Sequence, residues 1–256
     1  MEFQMDIQGA NRHNLILSTA EPHLEFFRSF VWKDYRFWKI GDGFYYLKEP
    51  STFHGLLEYI AVTTLGQKWL KIQLGMDYDK QHILHKWAAQ YLKFKEKHSN
   101  DTYKKADGVF EAPSTGPAKS WLMFGYDLLC LSHKKALSVG IINKLKENEL
   151  FQGARYEISV AAILIIAGCD IEWIDPNSRK SRSPELIASH RKTGFKFAVE
   201  AKSKKRPGMY NQPGSWEQEL KGAASLIKEA IEQGSEDLPF VIFVDLNIPR
   251  DPKLPS

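Results

Sequence analysis

A mixed α/β fold is predicted for this chain: an αβββαβ unit in the C-terminal part, preceded by a mainly α-helical, aromatic-rich N-terminal region. Three stretches predict it. Residues 183–206 read as two strands separated by Lys192-Thr193-Gly194, the second with apolar and polar side chains alternating at the period 2 of a strand. Residues 151–168, FQGARYEISVAAILIIAG, read as a strong helix closed by glycine at its C′ position. Residues 238–246, LPFVIFVDL, form a continuous apolar run and are predicted as a strand buried on both faces. A sheet with helices on both faces encloses enough apolar surface for one domain.

The chain has 256 residues, 43% hydrophobic and 12% aromatic, enough for one or two domains with a real core rather than disorder. The division expected is 1–136, an accessory or binding region, and 137–256. Cys130 and Cys169 both lie in apolar segments and make neither a disulfide framework nor a zinc pattern, which suits a reducing cytoplasm. The first residues, MEFQMDIQGANRHN, are unlike a signal peptide, and the longest apolar run, 158–167, is about half of a membrane span. A soluble cytoplasmic protein without a membrane partner is expected.

In chain order, residues 26–46 are dense in aromatics, with Gly41-Asp42-Gly43 a turn between two strands or between a helix and a strand. The aromatics are assigned to a small core, with base stacking as the competing use. Ser51 and Thr52 cap a helix expected to run to Leu74 and stop at Gly75. A second helix, 80–98, places Ile83, Leu84, Trp87, Tyr91, Leu92 and Phe94 on one side. His82, His85 and His98 share no metal spacing with an acid and are assigned to its exposed face. Residues 99–118 lack any period and read as a linker. A third helix covers 120–137, and 139–150 continues in one helix or two.

In the helix 151–168 the apolar stripe is Val160, Ala161, Leu164 and Ala167, and Glu157 falls on it. A carboxylate on a buried stripe is costly unless paired or near a cation, although an acid in the first turn can reach solvent and favour the helix dipole. A strand, 169–175, follows, with Ile171, Trp173 and Asp175 on one face. Strands Ser183–His190 and Phe195–Lys204 come next. A helix over 216–233, capped by Ser215, turns Leu220, Ala223, Ala224, Ile227 and Ile231 inward and ends at Gly234.

In the strand 195–204, Phe195, Phe197 and Val199 point one way and Lys196, Ala198, Glu200 and Lys202 the other. Antiparallel pairing can bring Glu185 of the preceding strand to Glu200, with the register left open. Two adjacent carboxylates repel unless a cation sits between them, and the neighbouring lysine then faces whatever anion the cation holds. Residues 176–206 hold ten Lys or Arg against these two acids, a net +8 in a chain of net +4, so the remainder is −4. That pattern describes an anion-binding surface with a metal site set into it, or a solvated basic hairpin whose glutamates pair with lysines.

Glu157 on the leading helix, Pro184-Glu185 on the second strand and Glu200-Ala201-Lys202 on the third, followed by a helix and an apolar strand, resemble the PD-(D/E)xK nuclease superfamily, with its restriction-endonuclease-like fold. The resemblance covers residues 148–248 and not the first half. It implies a Mg²⁺- or Mn²⁺-dependent phosphodiesterase, an endonuclease in preference to an exonuclease, acting on DNA in preference to RNA. It further implies that Glu185 and Glu200 ligate the metal with the Ala201 carbonyl, that Glu157 completes the acidic cluster, and that Lys202 orients or helps deprotonate the attacking water and offsets charge on phosphorus. Lys204, Lys205 and Arg206 would hold backbone phosphates, with Gln218 and Lys221 as further contacts. The departure is glutamate where the family has aspartate after proline; Asp170, Glu172 and Asp175 are the fallback ligands. Residues 1–136 would bind substrate or a partner, a homodimer included. The alternatives are a nuclease-like module that holds nucleic acid without cutting it, and a structural or protein-interaction subunit.

Overall fold

The alternation in residues 28–48 builds strands. β1 (Arg28–Trp32), β2 (Tyr35–Ile40) and β3 (Gly43–Lys48) form an antiparallel sheet in the order β1-β2-β3. The N-terminal region is therefore helical with a sheet added, which the sequence reading allowed only as a turn between short strands. The computed structural model describes residues 28–40, 43–99, 111–174, 184–204, 223–234 and 237–246.

The long helix predicted from Ser51 to Leu74 is two. Thr52 caps α1 (Phe53–Leu65), its hydroxyl accepting from the Gly55 amide at 3.1 Å, but Gly66 adopts φ 82° and ψ 134°, and α2 (Gln67–Leu74) starts afresh. Glycine enters that left-handed region without the Cβ clash that would hold another residue in the helix. A 3₁₀ turn (Tyr78–Lys80) then precedes α3 (Ile83–His98). His82 is the N-cap of α3, and Nδ1 accepts from the Leu84 amide at 3.2 Å. His82 and His85 are both buried, which corrects their placement on an exposed face. The His82 ring lies edge-on to Trp69 and Phe151, and burial lowers its pKa to about 4.

Residues 100–110 of the expected linker lie outside the described residues. The linker ends earlier than predicted, because α4 (Gly116–His133) begins with Thr115 as its cap. α5 (Val139–Lys146) is a separate helix, and α6 (Phe151–Ile166) follows. Gly168 takes φ 93° just past the end of α6, as its C′ position requires, while Ala167 is exposed rather than part of the buried stripe.

After α6 come β4 (Cys169–Trp173), β5 (Leu186–His190), β6 (Lys196–Ser203), α7 (Ala223–Ile231) and β7 (Phe240–Asp245). The sheet order is β4-β5-β6-β7: β4, β5 and β6 run antiparallel in sequence, and β7 lies parallel to β6 after the α7 crossover. The helix expected over 216–233 is described only from residue 223. Its Ile227 and Ile231 are exposed and Ala230 is the fully buried residue, so the inward face differs from the one predicted. β7 pairs only with β6 among the described residues, and Val241 is exposed; this edge strand is half-buried, not covered on both faces.

One contiguous apolar cluster runs from Trp38 and Ile40 through α1, α3, α4 and α6 to Leu186, Ala188, Val199 and Ala201. α6 packs on β4 and β6, while α7 packs on β6 and β7. Among the described residues no helix is long and apolar enough to cross a membrane.

Candidate functional site

The site grows from the β5–β6 register. Leu186 pairs with Val199, which resolves the alignment that the sequence leaves open. Just beyond that pair, Glu185 donates its amide to the Val199 carbonyl at 3.0 Å, and its own carbonyl accepts from the Ile174 amide at 3.1 Å. The Glu185 backbone is thereby held between β4 and β6, next to Glu200. The Val199 carbonyl faces the β5 side, so strand alternation turns the Ala201 carbonyl to that side too.

Glu200 is fully buried, and its Oε1 lies 2.8 Å from Lys202 Nζ. Alternation puts the two on one face of β6, and a buried carboxylate is tolerated only with such a counter-charge. By the same register Asp170 and Glu172 share that face, but both are exposed on the edge strand, and Asp170 pairs with Arg191 at 3.4 Å.

Glu157 enters from α6. It is the seventh residue of the helix and buried, so the first-turn account of its cost does not apply. Its Oε2 and Oε1 accept from Lys144 Nζ of α5 at 3.2 and 3.4 Å. Burial raises the Glu157 carboxyl above its ordinary range, and the charge of Glu185 raises it further. Lys144 pulls it back, and Glu200 adds to the rise. Glu157 of α6 therefore feels the charge of Glu185, just before β5, and of Glu200 on β6, while Lys144 pairs with Glu157 and Lys202 with Glu200.

Every ionisable oxygen donor in this group is a carboxylate. Among the described residues no three or more His, Cys, Asp or Glu side chains gather closely enough to hold an ion, and the lysine ammonium groups lie against Glu157 and Glu200 instead. No protein-family profile matches this chain, and no curated protein or solved structure matches it. Lys204 follows β6 and donates its amide to the Asp245 carbonyl at 2.8 Å. Lys205, Arg206, Gln218, Lys221 and Asp175 lie outside the described residues.

Sequence reasoning missed Lys144. Its signal was weak: it sits between Ile141 and Leu145, the buried positions of a short amphipathic helix, and only the packing of α5 on α6 turns it to Glu157. A second polar group was missed as well. Arg155 Nη1 donates to Asp127 Oδ2 at 2.5 Å and to Ser159 Oγ, and Ser159 donates to Asp127 at 3.0 Å. This bridge between α4 and α6 borders a cavity of about 270 Å³ that also touches Ser203 and Asp245. Ser203 alternates to the face of β6 opposite Lys202, so the cavity is separate from the Glu200 side.

Proposed function

We propose that this protein is a metal-dependent nuclease that hydrolyses phosphodiester bonds of DNA, acting as an endonuclease with a restriction-endonuclease-like core. The observation that carries the reading is the buried Glu200–Lys202 pair on β6, with the Glu185 backbone hydrogen-bonded to the adjacent Val199 carbonyl and Glu157 raised by the charge of both glutamates. The order helix, three antiparallel strands, crossover helix and parallel strand adds support.

The chemistry of the donors, all of them oxygen, suits a hard divalent cation, which would have to draw together carboxylates that, among the described residues, are not gathered closely enough to hold one. Carboxylates that destabilise one another's charge are relieved by a metal, and all the donors are oxygen, which favours Mg²⁺ or Mn²⁺ over a softer ion. Glu185 and Glu200 would hold it with the Ala201 carbonyl, and Glu157 would complete the acidic cluster. When bound, the cation supplies polarisation of the phosphoryl oxygen and a water of lowered pKa. Lys202 exchanges its contact with Glu200 for one with the attacking water, orients it, and offsets the charge growing on phosphorus. Lys144, paired with Glu157, opposes the rise that burial and the other glutamates impose on its carboxyl.

One observation favours a second reading, a nuclease-like module that binds nucleic acid without cutting. Lys144 and Lys202 already neutralise two of the three carboxylates. Incubation with supercoiled plasmid separates the two. Nicking or linearisation in Mg²⁺, none in EDTA, and a loss of about 100-fold or more in Lys202→Ala are expected of the enzyme. Plasmid left intact in Mg²⁺ and Mn²⁺, or cut equally by Lys202→Ala, sinks the nuclease assignment; intact plasmid that is nevertheless bound in EDTA leaves the second reading standing.

A further inference from the structure

The sheet β1–β3 divides its aromatics between two faces. Trp38 and Ile40 are buried, and Tyr45 and Leu47 pack against the core, so one face already satisfies the hydrophobic demand of this sheet. The other face aligns Phe30, Phe37 and Tyr46 in one cross-strand row and Trp32, Tyr35 and Lys48 in the next, with Phe44 beside Lys39. Trp32, Tyr35, Phe44 and Tyr46 are between 41% and 61% exposed, far more than a packed core allows. Phe30 stacks on Phe37 at 5.2 Å and Tyr35 meets Tyr46 edge-on at 5.9 Å, so the rings brace one another in a preformed layer.

Charge identifies what this layer suits. Lys39 and Lys48 are exposed at its margins, Lys33 Nζ lies 4.6 Å over the Trp32 ring, and the strands β1–β3 themselves contain no acidic residue, Asp34 lying in the turn between β1 and β2. Exposed rings interleaved with cations, with no acid on the strands themselves, complement a chain of flat bases joined by phosphates. A duplex hides its bases, and an apolar protein partner would leave the lysines without counter-charge.

We infer that the outer face of β1–β3 is a binding platform for single-stranded nucleic acid, with bases stacking on Trp32, Phe44 and Tyr46 and phosphates meeting Lys33, Lys39 and Lys48. The platform is distinct from the carboxylate cluster and does not depend on cleavage.

The test is fluorescence anisotropy of the full chain with labelled oligo-dT and oligo-U in EDTA, so that no cutting enters. Binding to both oligonucleotides, with duplex DNA a poor competitor, is expected. The logarithm of affinity should fall with log salt at a slope of about −2 for three phosphate contacts. Trp32→Ala and Tyr46→Ala should each weaken binding about tenfold, Trp32→Phe should restore most of it, and Lys48→Ala should shallow the salt slope by about 0.7. Because binding is read in EDTA, plasmid cleavage in Mg²⁺ remains a separate readout, which separates failure here from failure of the nuclease reading. These side chains are half exposed, so melting temperatures should hold and confirm that the variants fold. No oligonucleotide binding, or binding indifferent to both Trp32→Ala and Tyr46→Ala, overturns the platform. So does sedimentation showing a dimer that these substitutions dissociate, since the face would then be a contact between copies.

Discussion

Glu157 shows how a single side chain ties stability to chemistry. Its carboxyl is raised by burial and by Glu185, against the pull of Lys144. Below the ordinary glutamate value of 4.5 the group is neutral in the folded and the unfolded chain. As pH rises, the unfolded chain releases the proton first, and stability is lost until the raised folded value is passed. Glu157→Gln, which never ionises, is therefore expected to melt higher than the parent at pH 8, by about 2–4 °C for each kcal/mol relieved, and to match it near pH 4. Mn²⁺ should raise the parent's melting temperature more at pH 8 than at pH 5, and Glu157→Gln should lose part of that gain. A variant that melts lower than the parent at pH 8 would mean that the Lys144 pair outweighs the repulsion. The position of Glu157 on an apolar stripe was legible in the sequence; its partner was not, because Lys144 lies on another helix.

Between elements, close approach sets the geometry. A Cβ added to Gly125 of α4 would lie 2.6 Å from the Leu57 carbonyl of α1, closer than any real contact. α1 and α4 therefore pack with backbone near backbone, and Gly125→Ala must push them apart. Overpacking of this kind costs about 1–3 kcal/mol. Thermal melting should register a fall of several degrees, and an unchanged midpoint would show that the helices are not so closely seated. Helix ends marked by Thr52 and Gly168 were readable because capping is local chemistry. The break at Gly66 was not, since isolated glycine inside an apolar pattern is compatible with a continuous helix.

Across the chain, the apolar cluster joins Trp38 to Ala201 without interruption and crosses the expected boundary at 136/137. The Asp127–Arg155–Ser159 bridge ties α4, before that boundary, to α6 after it. Thermal unfolding followed by tryptophan fluorescence and by far-ultraviolet circular dichroism should give one coincident transition. A fragment of residues 137–256 should fail to fold alone, because α6 would lose the cover of α4. Two resolved transitions, or a fragment with a cooperative melt of its own, would show instead two independent units.

Local patterns were enough to assign strands to 183–190 and 195–204, found at Leu186–His190 and Lys196–Ser203, a helix to 151–168, found at Phe151–Ile166, and Glu200 and Lys202 to one face, because strand alternation and helix periodicity depend on neighbours a few residues apart. Spatial packing alone settled that the Glu185 backbone joins Val199 of β6, that Lys144 reaches Glu157, that β7 pairs only with β6 among the described residues, and that Trp32, Tyr35, Phe44 and Tyr46 of β1–β3 stay exposed. Register and layer order bring together residues far apart in the chain, and no pattern of near neighbours encodes which surfaces will be covered.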